Sequence, residues 1–169
     1  IDTEFFAPQP QIKRIPGRIV STASADVPLK GQKFLLEALA KVRHNYPNVH
    51  LELIGKQREG STTAETLEQL GLSDIVRFNQ GISYRELVDL LASASVAVVP
   101  SLYEGFSIPA IEALSCGAPL IATTGGALPE VAGPHLETCL AVPPGDSDAL
   151  AKEIEFAFSN PLECQRIGD

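Results

Sequence analysis

The stretch Val99-Pro100-Ser101-Leu102-Tyr103-Glu104-Gly105-Phe106-Ser107-Ile108-Pro109-Ala110-Ile111-Glu112-Ala113-Leu114 decides how this chain is read. Its first residue closes a short apolar run, Val96 to Val99, that reads as a buried strand. A loop with a carboxylate, Glu104, and a glycine, Gly105, follows; Pro109 then opens a helix, since its missing N–H costs nothing in a first turn. This reading places Glu112 in that first turn. The free N–H groups of a helix start, with Gly105 allowing close backbone approach, suit a phosphate and favour it by about 0.3 to 2 kcal/mol before individual hydrogen bonds. Neighbouring carboxylates would accept hydrogen bonds from hydroxyls, so a ligand carrying both a diphosphate and vicinal hydroxyls fits better than phosphate alone. Spacing alone equally allows a plainer reading, with Glu112 complementing the helix dipole and Glu104 solvated on its loop.

Working outward, the same strand-then-helix unit recurs. Ile19 to Thr22, Val49 to Ile54, Ile75 to Phe78, Leu120 to Thr123 and Leu140 to Val142 read as further strands. Phe34, Leu35, Ala38, Leu39 and Val42 fall on one face of a helix that ends before Pro47, and Leu67 and Leu70 mark a weaker helix stopping at Gly71. Ser83-Tyr84-Arg85-Glu86 is a capping box opening a third helix through Leu87, Leu90, Leu91 and Ala94. The helix from Pro109 ends at Gly117. Gly125-Gly126 and Leu128-Pro129-Glu130-Val131 suggest a loop and a short helix, and a last helix runs from about Asp148 to Phe158, before Pro161. Parallel neighbours need such crossovers, so the expected fold class is α/β, a Rossmann-like open parallel sheet of about six strands with helices on both faces. Ligands of such sheets bind beyond the carboxyl ends of the strands.

The 169 residues suffice for one domain with a full core, and 44% hydrophobic against 20% charged residues is too apolar for disorder. No apolar run approaches a membrane-spanning length of about 18 residues. A net charge of −8 gives no general attraction to nucleic acid or anionic lipid, so an anionic ligand must be held by local donors. Cys116, Cys139 and Cys164 are odd in number and widely spaced, which argues against a disulfide framework or a zinc site and suits a reducing cytoplasm. The chain begins at Ile1 and contains no Met, so it is expected to be a piece of something longer, with residues 1–17 a proline-bearing linker and 18–169 the domain. His44, His50 and His135 are scattered and read as surface or structural residues.

Glu104-Gly105-Phe106-Ser107-Ile108-Pro109 followed by Glu112-Ala113-Leu114, Gly117-Ala118-Pro119, Gly125-Gly126 and Pro129-Glu130-Val131 resembles the donor-binding half of the family 4 retaining glycosyltransferases, also described as glycosyl transferases group 1, of the GT-B fold. The likeness runs from Asp2-Thr3-Glu4-Phe5-Phe6 through Lys30-Gly31 to the last helix. It implies a carboxyl-terminal domain that binds a nucleoside-diphosphate sugar, in a whole protein that transfers the sugar to an acceptor hydroxyl with retained configuration. It further implies that Glu104 accepts hydrogen bonds from the sugar hydroxyls while backbone amides near Gly105, Phe106 and Ser107 approach sugar and diphosphate. Glu112 would hold the ribose hydroxyls and Lys30 would neutralise the diphosphate, making Glu104 and Lys30 the pair closest to the chemistry. The nucleobase would lie along Arg77 and the segment from Phe78 to Ile82. The isolated domain is expected to be inactive, the acceptor being held mainly by a missing amino-terminal domain. The resemblance is compatible with membrane association of the whole protein.

One departure matters. Where the family commonly has an arginine five positions before its lysine, this chain has Ala25, and Gly55-Lys56-Gln57-Arg58 replaces a Gly-Asp-Gly-Pro loop. Ser24 or Arg58 would then complete the diphosphate site, or Arg58 is a surface residue. The missing arginine is also the one feature in favour of a non-catalytic nucleotide-sugar-binding or regulatory module; an epimerase on the same fold is weighed against by the paired glutamates. No cofactor or metal requirement and no Asp-x-Asp motif on the diphosphate are expected.

Overall fold

A computed structural model describes residues 1–22 and 27–168. Six parallel strands form one sheet: β1 (Arg18–Ser21), β2 (His50–Ile54), β3 (Val76–Asn79), β4 (Val96–Val99), β5 (Leu120–Thr123) and β6 (Leu140–Val142), in the order β3-β2-β1-β4-β5-β6. Crossovers from β1 run outward through β2 to β3, and those from β4 run the opposite way through β5 to β6. The order therefore reverses between β1 and β4, and a crevice opens there beyond their carboxyl ends.

Alternation along the strands sorts the core into two layers. Ile19, Leu51, Leu53, Val96, Val98, Ile121, Leu140 and Val142 pack on one face against α1 (Gln32–Val42), α2 (Thr62–Gln69), α6 (Ser147–Ser159) and α7 (Pro161–Gly168). Val20, Ala97, Val99, Leu120 and Ala122 pack on the other against α3 (Tyr84–Ala92), α4 (Ile108–Ser115) and α5 (Leu128–Ala132). Burial on both faces is why these strands are continuous apolar runs.

The expected boundaries of β4, β5 and β6 coincide with those observed, whereas β1 and β3 are offset by a residue and β2 begins at His50. The capping box of α3 is formed on both sides, Ser83 Oγ accepting from the Glu86 N–H and Glu86 from the Ser83 N–H. Three readings are corrected. Phe34 is only half-buried, and Leu36 takes the core side of α1 with Leu35, Ala38, Leu39 and Val42. Pro161 starts α7 rather than ending the chain's helices, and Cys164 and Ile167, three residues apart, anchor it in the core. Pro28–Lys30, which the sequence reads as part of the loop after the first strand, is a single 3-10 turn between β1 and α1, so Lys30 sits at a helix end.

Residues 1–17 run against the domain: Phe6 is buried edge-on to Tyr84, the Ile15 N–H donates to Ser93 O at 2.8 Å, and the Arg14 guanidinium donates to Gly117 O at 2.6 Å. Gly31 is where the fold is least forgiving. Its φ of 68° is left-handed, and a Cβ there would overlap the Pro100 carbonyl oxygen at the end of β4. Gly31→Ala should therefore lower stability by at least about 2 kcal/mol, seen as a reduced midpoint in urea with an unchanged slope. An unchanged midpoint would mean that the turn after β1 is not held against β4.

Candidate functional site

Loops from three strands meet at the crevice. The Leu102 N–H, after β4, donates to Leu29 O in the turn after β1 at 2.8 Å, and the Ala127 N–H, after β5, donates to Glu104 O at 2.8 Å. Thr123 Oγ1 donates to Ser101 O, fixing the start of the β4 loop to the end of β5. Gly126, with φ 66°, lies so close beneath Glu104 that a Cβ would meet the Glu104 carbonyl oxygen. These ties hold Glu104 over the switch point.

There Lys30 and Glu104, far apart in sequence, come together. Lys30 Nζ donates to both carboxylate oxygens of Glu104, at 2.8 and 2.9 Å, and Ser101 Oγ donates to Oε1 at 2.6 Å. Glu104 is 5% exposed and Ser101 fully buried, which removes the solvated-loop reading of Glu104. A carboxylate is tolerated at such burial because a cation and a hydroxyl both serve it.

The first residues of α4 differ from the sequence reading. Ser107, not Ile108, precedes the helix, and its buried hydroxyl accepts from the Ala110 N–H at 3.4 Å, so α4 starts at Ile108 and Pro109 is its second residue. Glu112 consequently falls in the second turn, beyond the region where the dipole acts most strongly. It is half-buried and has no ion pair among the described residues, and burial raises its carboxyl pKa. One turn on, burial and then the Glu112 charge push the Cys116 thiol up to about 12, which makes it an inert core group. Gly105 is open: a Cβ there would meet nothing within 4 Å, and Phe106 beside it is 62% exposed.

The structure brings Lys30 onto Glu104, leaves Gly105 and Phe106 beside it open, buries Ser107 as the cap of α4 and sets Glu112 in the second turn of that helix. Ile82 is half-buried just beyond β3, against the core layer of α3. Arg58 is exposed on the loop after β2, where its carbonyl accepts from the Ser61 N–H at 3.2 Å ahead of α2. Ser24 and Ala25 lie outside the described residues. The expectation of no Asp-x-Asp motif is wrong as to sequence: Asp146-Ser147-Asp148 has that spacing. Its carboxylates are engaged at the start of α6, Asp146 accepting from the Asp148 and Ala149 N–H groups and Asp148 paired with Lys41 at 2.7 Å. Sequence reasoning missed Ser101; its spacing of three residues from Glu104 across a strand end was the available signal.

The family model described as glycosyl transferases group 1 matches residues 7–169. The chain belongs to this family. Among curated relatives, this group 1 domain is 46% identical over 169 residues to an MMP alpha-(1->4)-mannosyltransferase of Mycolicibacterium hassiacum, covering all of this chain and 40% of that protein. It is 33% identical over 150 residues to a D-inositol 3-phosphate glycosyltransferase of Streptomyces bingchenggensis, covering 83% of the chain and 33% of the relative. Among solved structures, a sucrose-phosphate synthase from Thermosynechococcus elongatus superposes with a TM-score of 0.85 at 30% identity, over all of this chain and 44% of that one. The chain thus spans less than half the length of each of these relatives.

Glu112→Gln is the test of the group 1 domain's second glutamate. A raised carboxyl pKa means the folded state holds a proton that the unfolded chain has released, so ionising Glu112 costs stability as pH rises from its ordinary value of 4.5 through the raised one. The glutamine variant should hence melt at or slightly above wild type at pH 7 and lose that advantage below pH 4, in thermal scans across pH. A lower midpoint at pH 7 would show that the carboxylate stabilises the fold.

Proposed function

We propose that this domain binds a nucleoside-diphosphate sugar, and that the whole protein transfers the sugar, of the mannosyl class, to an acceptor hydroxyl with retention of configuration. The observation carrying this reading is the pairing of Lys30 with the buried Glu104 carboxylate at the carboxyl ends of β1 and β4, in a chain of the group 1 glycosyltransferase family. The mannosyl assignment is supported by the 46% identity to a mannosyltransferase.

In the proposed mechanism the leaving diphosphate gains negative charge as the bond to the sugar carbon breaks. Lys30 and the amino terminus of α1 meet that charge, Gly31 capping α1 without a side chain in the way. Glu104 holds sugar hydroxyls and so fixes the reacting carbon, and Glu112 receives the ribose hydroxyls. The positive charge in this scheme comes from Lys30 and helix amino termini, with no metal invoked. Three buried free thiols support a reducing compartment such as the cytoplasm.

Calorimetric titration of the whole protein with GDP, GDP-mannose, UDP and UDP-glucose tests the reading. Saturable binding of a sugar nucleotide more tightly than its own diphosphate is expected, with GDP-mannose preferred. Binding of none of the four would overturn the donor-site assignment, and preference for UDP-glucose would overturn the mannosyl class alone.

A further inference from the structure

Glu104 has two oxygens, and they are not equivalent. Oε1 accepts from both Ser101 Oγ, at 2.6 Å, and Lys30 Nζ, at 2.8 Å, whereas Oε2 accepts from Lys30 alone, at 2.9 Å. Each carboxylate oxygen has two lone-pair sites, so Oε1 is filled and Oε2 retains one. Ser101 is itself tied down: it is fully buried, and its carbonyl accepts from Thr123 Oγ1 on the neighbouring strand. A group held this firmly at both ends sets the rotation of the carboxylate that it touches.

We propose that Ser101 is a positioning residue for the donor sugar: its hydroxyl holds Glu104 Oε1, turns Oε2 outward and makes that oxygen the acceptor for a sugar hydroxyl. The inference rests on the reading of Glu104 as the sugar-binding carboxylate. Ser101 touches no ligand; it acts through Glu104. Its hydroxyl also remains a partner for Glu104 when Lys30 turns to the diphosphate, so the buried carboxylate is not left bare while the donor is bound.

The test is a double-mutant cycle in the whole protein, with Ser101→Ala, Glu104→Gln and both together, read by calorimetry with GDP and GDP-mannose. Ser101→Ala should weaken GDP-mannose about tenfold, the loss of a hydrogen bond to a charged group, and change GDP by less than about twofold. In the Glu104→Gln background the serine change should cost GDP-mannose less than about twofold further, because its effect passes through the carboxylate. Ser101→Thr, which keeps the hydroxyl, should recover part of the sugar preference if it folds. Equal losses for GDP and GDP-mannose, or a serine effect undiminished without the carboxylate, would show Ser101 to be a structural residue only. Glu104→Gln alone separates the two ideas. If it leaves the GDP-mannose preference intact, the sugar-binding reading of Glu104 falls and the serine proposal with it; if it abolishes the preference while Ser101→Ala does not reduce it, only the serine proposal falls.

Discussion

Lys30→Ala should weaken GDP binding by the whole protein by about 1.5 to 3 kcal/mol, the worth of a hydrogen bond to a charged group, in a domain whose net charge of −8 otherwise repels the ligand. It should also destabilise the fold. Glu104 is left buried without its cation, and removing one partner of a buried pair costs about 3 to 5 kcal/mol. The low end applies, because the Lys30 side chain is 28% exposed and Ser101 still serves one oxygen. The two effects separate in the double variant Lys30→Ala/Glu104→Gln. With the stranded charge gone, the thermal midpoint should recover most of its loss while GDP affinity stays low. If affinity recovered along with the midpoint, Lys30 would be a structural counter-ion and the diphosphate would be held elsewhere. Raising ionic strength gives a second check, since wild-type binding should weaken more than that of the variant.

Most of the architecture was legible because parallel strands buried on both faces have to be apolar throughout. Val96–Val99, Leu120–Thr123 and Leu140–Val142 could hardly be read otherwise, and the capping box at Ser83 fixed a helix boundary by its own chemistry. What escaped were positions where one residue type carries two signals. Pro161 reads as a stop after α6 and serves as the start of α7; Pro109 was read as the first residue of its helix but is the second, which hid Ser107 as the cap and shifted Glu112 by one residue, from the first turn into the second. The site was legible only as separate pieces. Glu104 stood out by its place between a strand end and a helix start, and Lys30 by the family resemblance alone, since neither spacing nor periodicity says that the first and fourth strands are neighbours. That adjacency arises from the crossover directions, and it is what turns a loop carboxylate into a buried one. Ser101 was passed over for a related reason: a serine three residues before a carboxylate at a strand end looks like turn chemistry until the burial of its partner is known.

The pairing of Lys30 with Glu104 has a consequence for binding. Lys30 and Glu104 satisfy each other in this structure, so on the proposed donor site a diphosphate has to compete with Glu104 for the ammonium group, and the lysine's hydrogen bonds occupy part of the carboxylate that the sugar would use. Local charge is thereby kept neutral in a buried place, where an unpartnered carboxylate would be costly. On the proposed donor site the expected cost is weaker affinity for the bare diphosphate, because part of its attraction to Lys30 goes into breaking the pair.

Glu104→Ala should for that reason act in opposite directions on two ligands. GDP should bind as tightly as to wild type or more tightly, since Lys30 is released to face the diphosphate. GDP-mannose should bind about 1.5 to 3 kcal/mol more weakly, through loss of a charged acceptor for its sugar hydroxyls. The ratio of the two dissociation constants, measured by calorimetry on one preparation, removes any general effect of the mutation on folding. Transfer by the whole protein should fall further than binding does, because a sugar carbon misplaced by about an ångström loses on the order of a hundredfold in rate. The fold should survive, as the variant removes a buried charge and leaves Lys30, already partly exposed, to water. Parallel losses for GDP and GDP-mannose with an intact thermal midpoint would mean that Glu104 serves the phosphates and not the sugar. Weaker GDP binding alone would show that the Lys30–Glu104 pair holds the lysine in its working position rather than away from it.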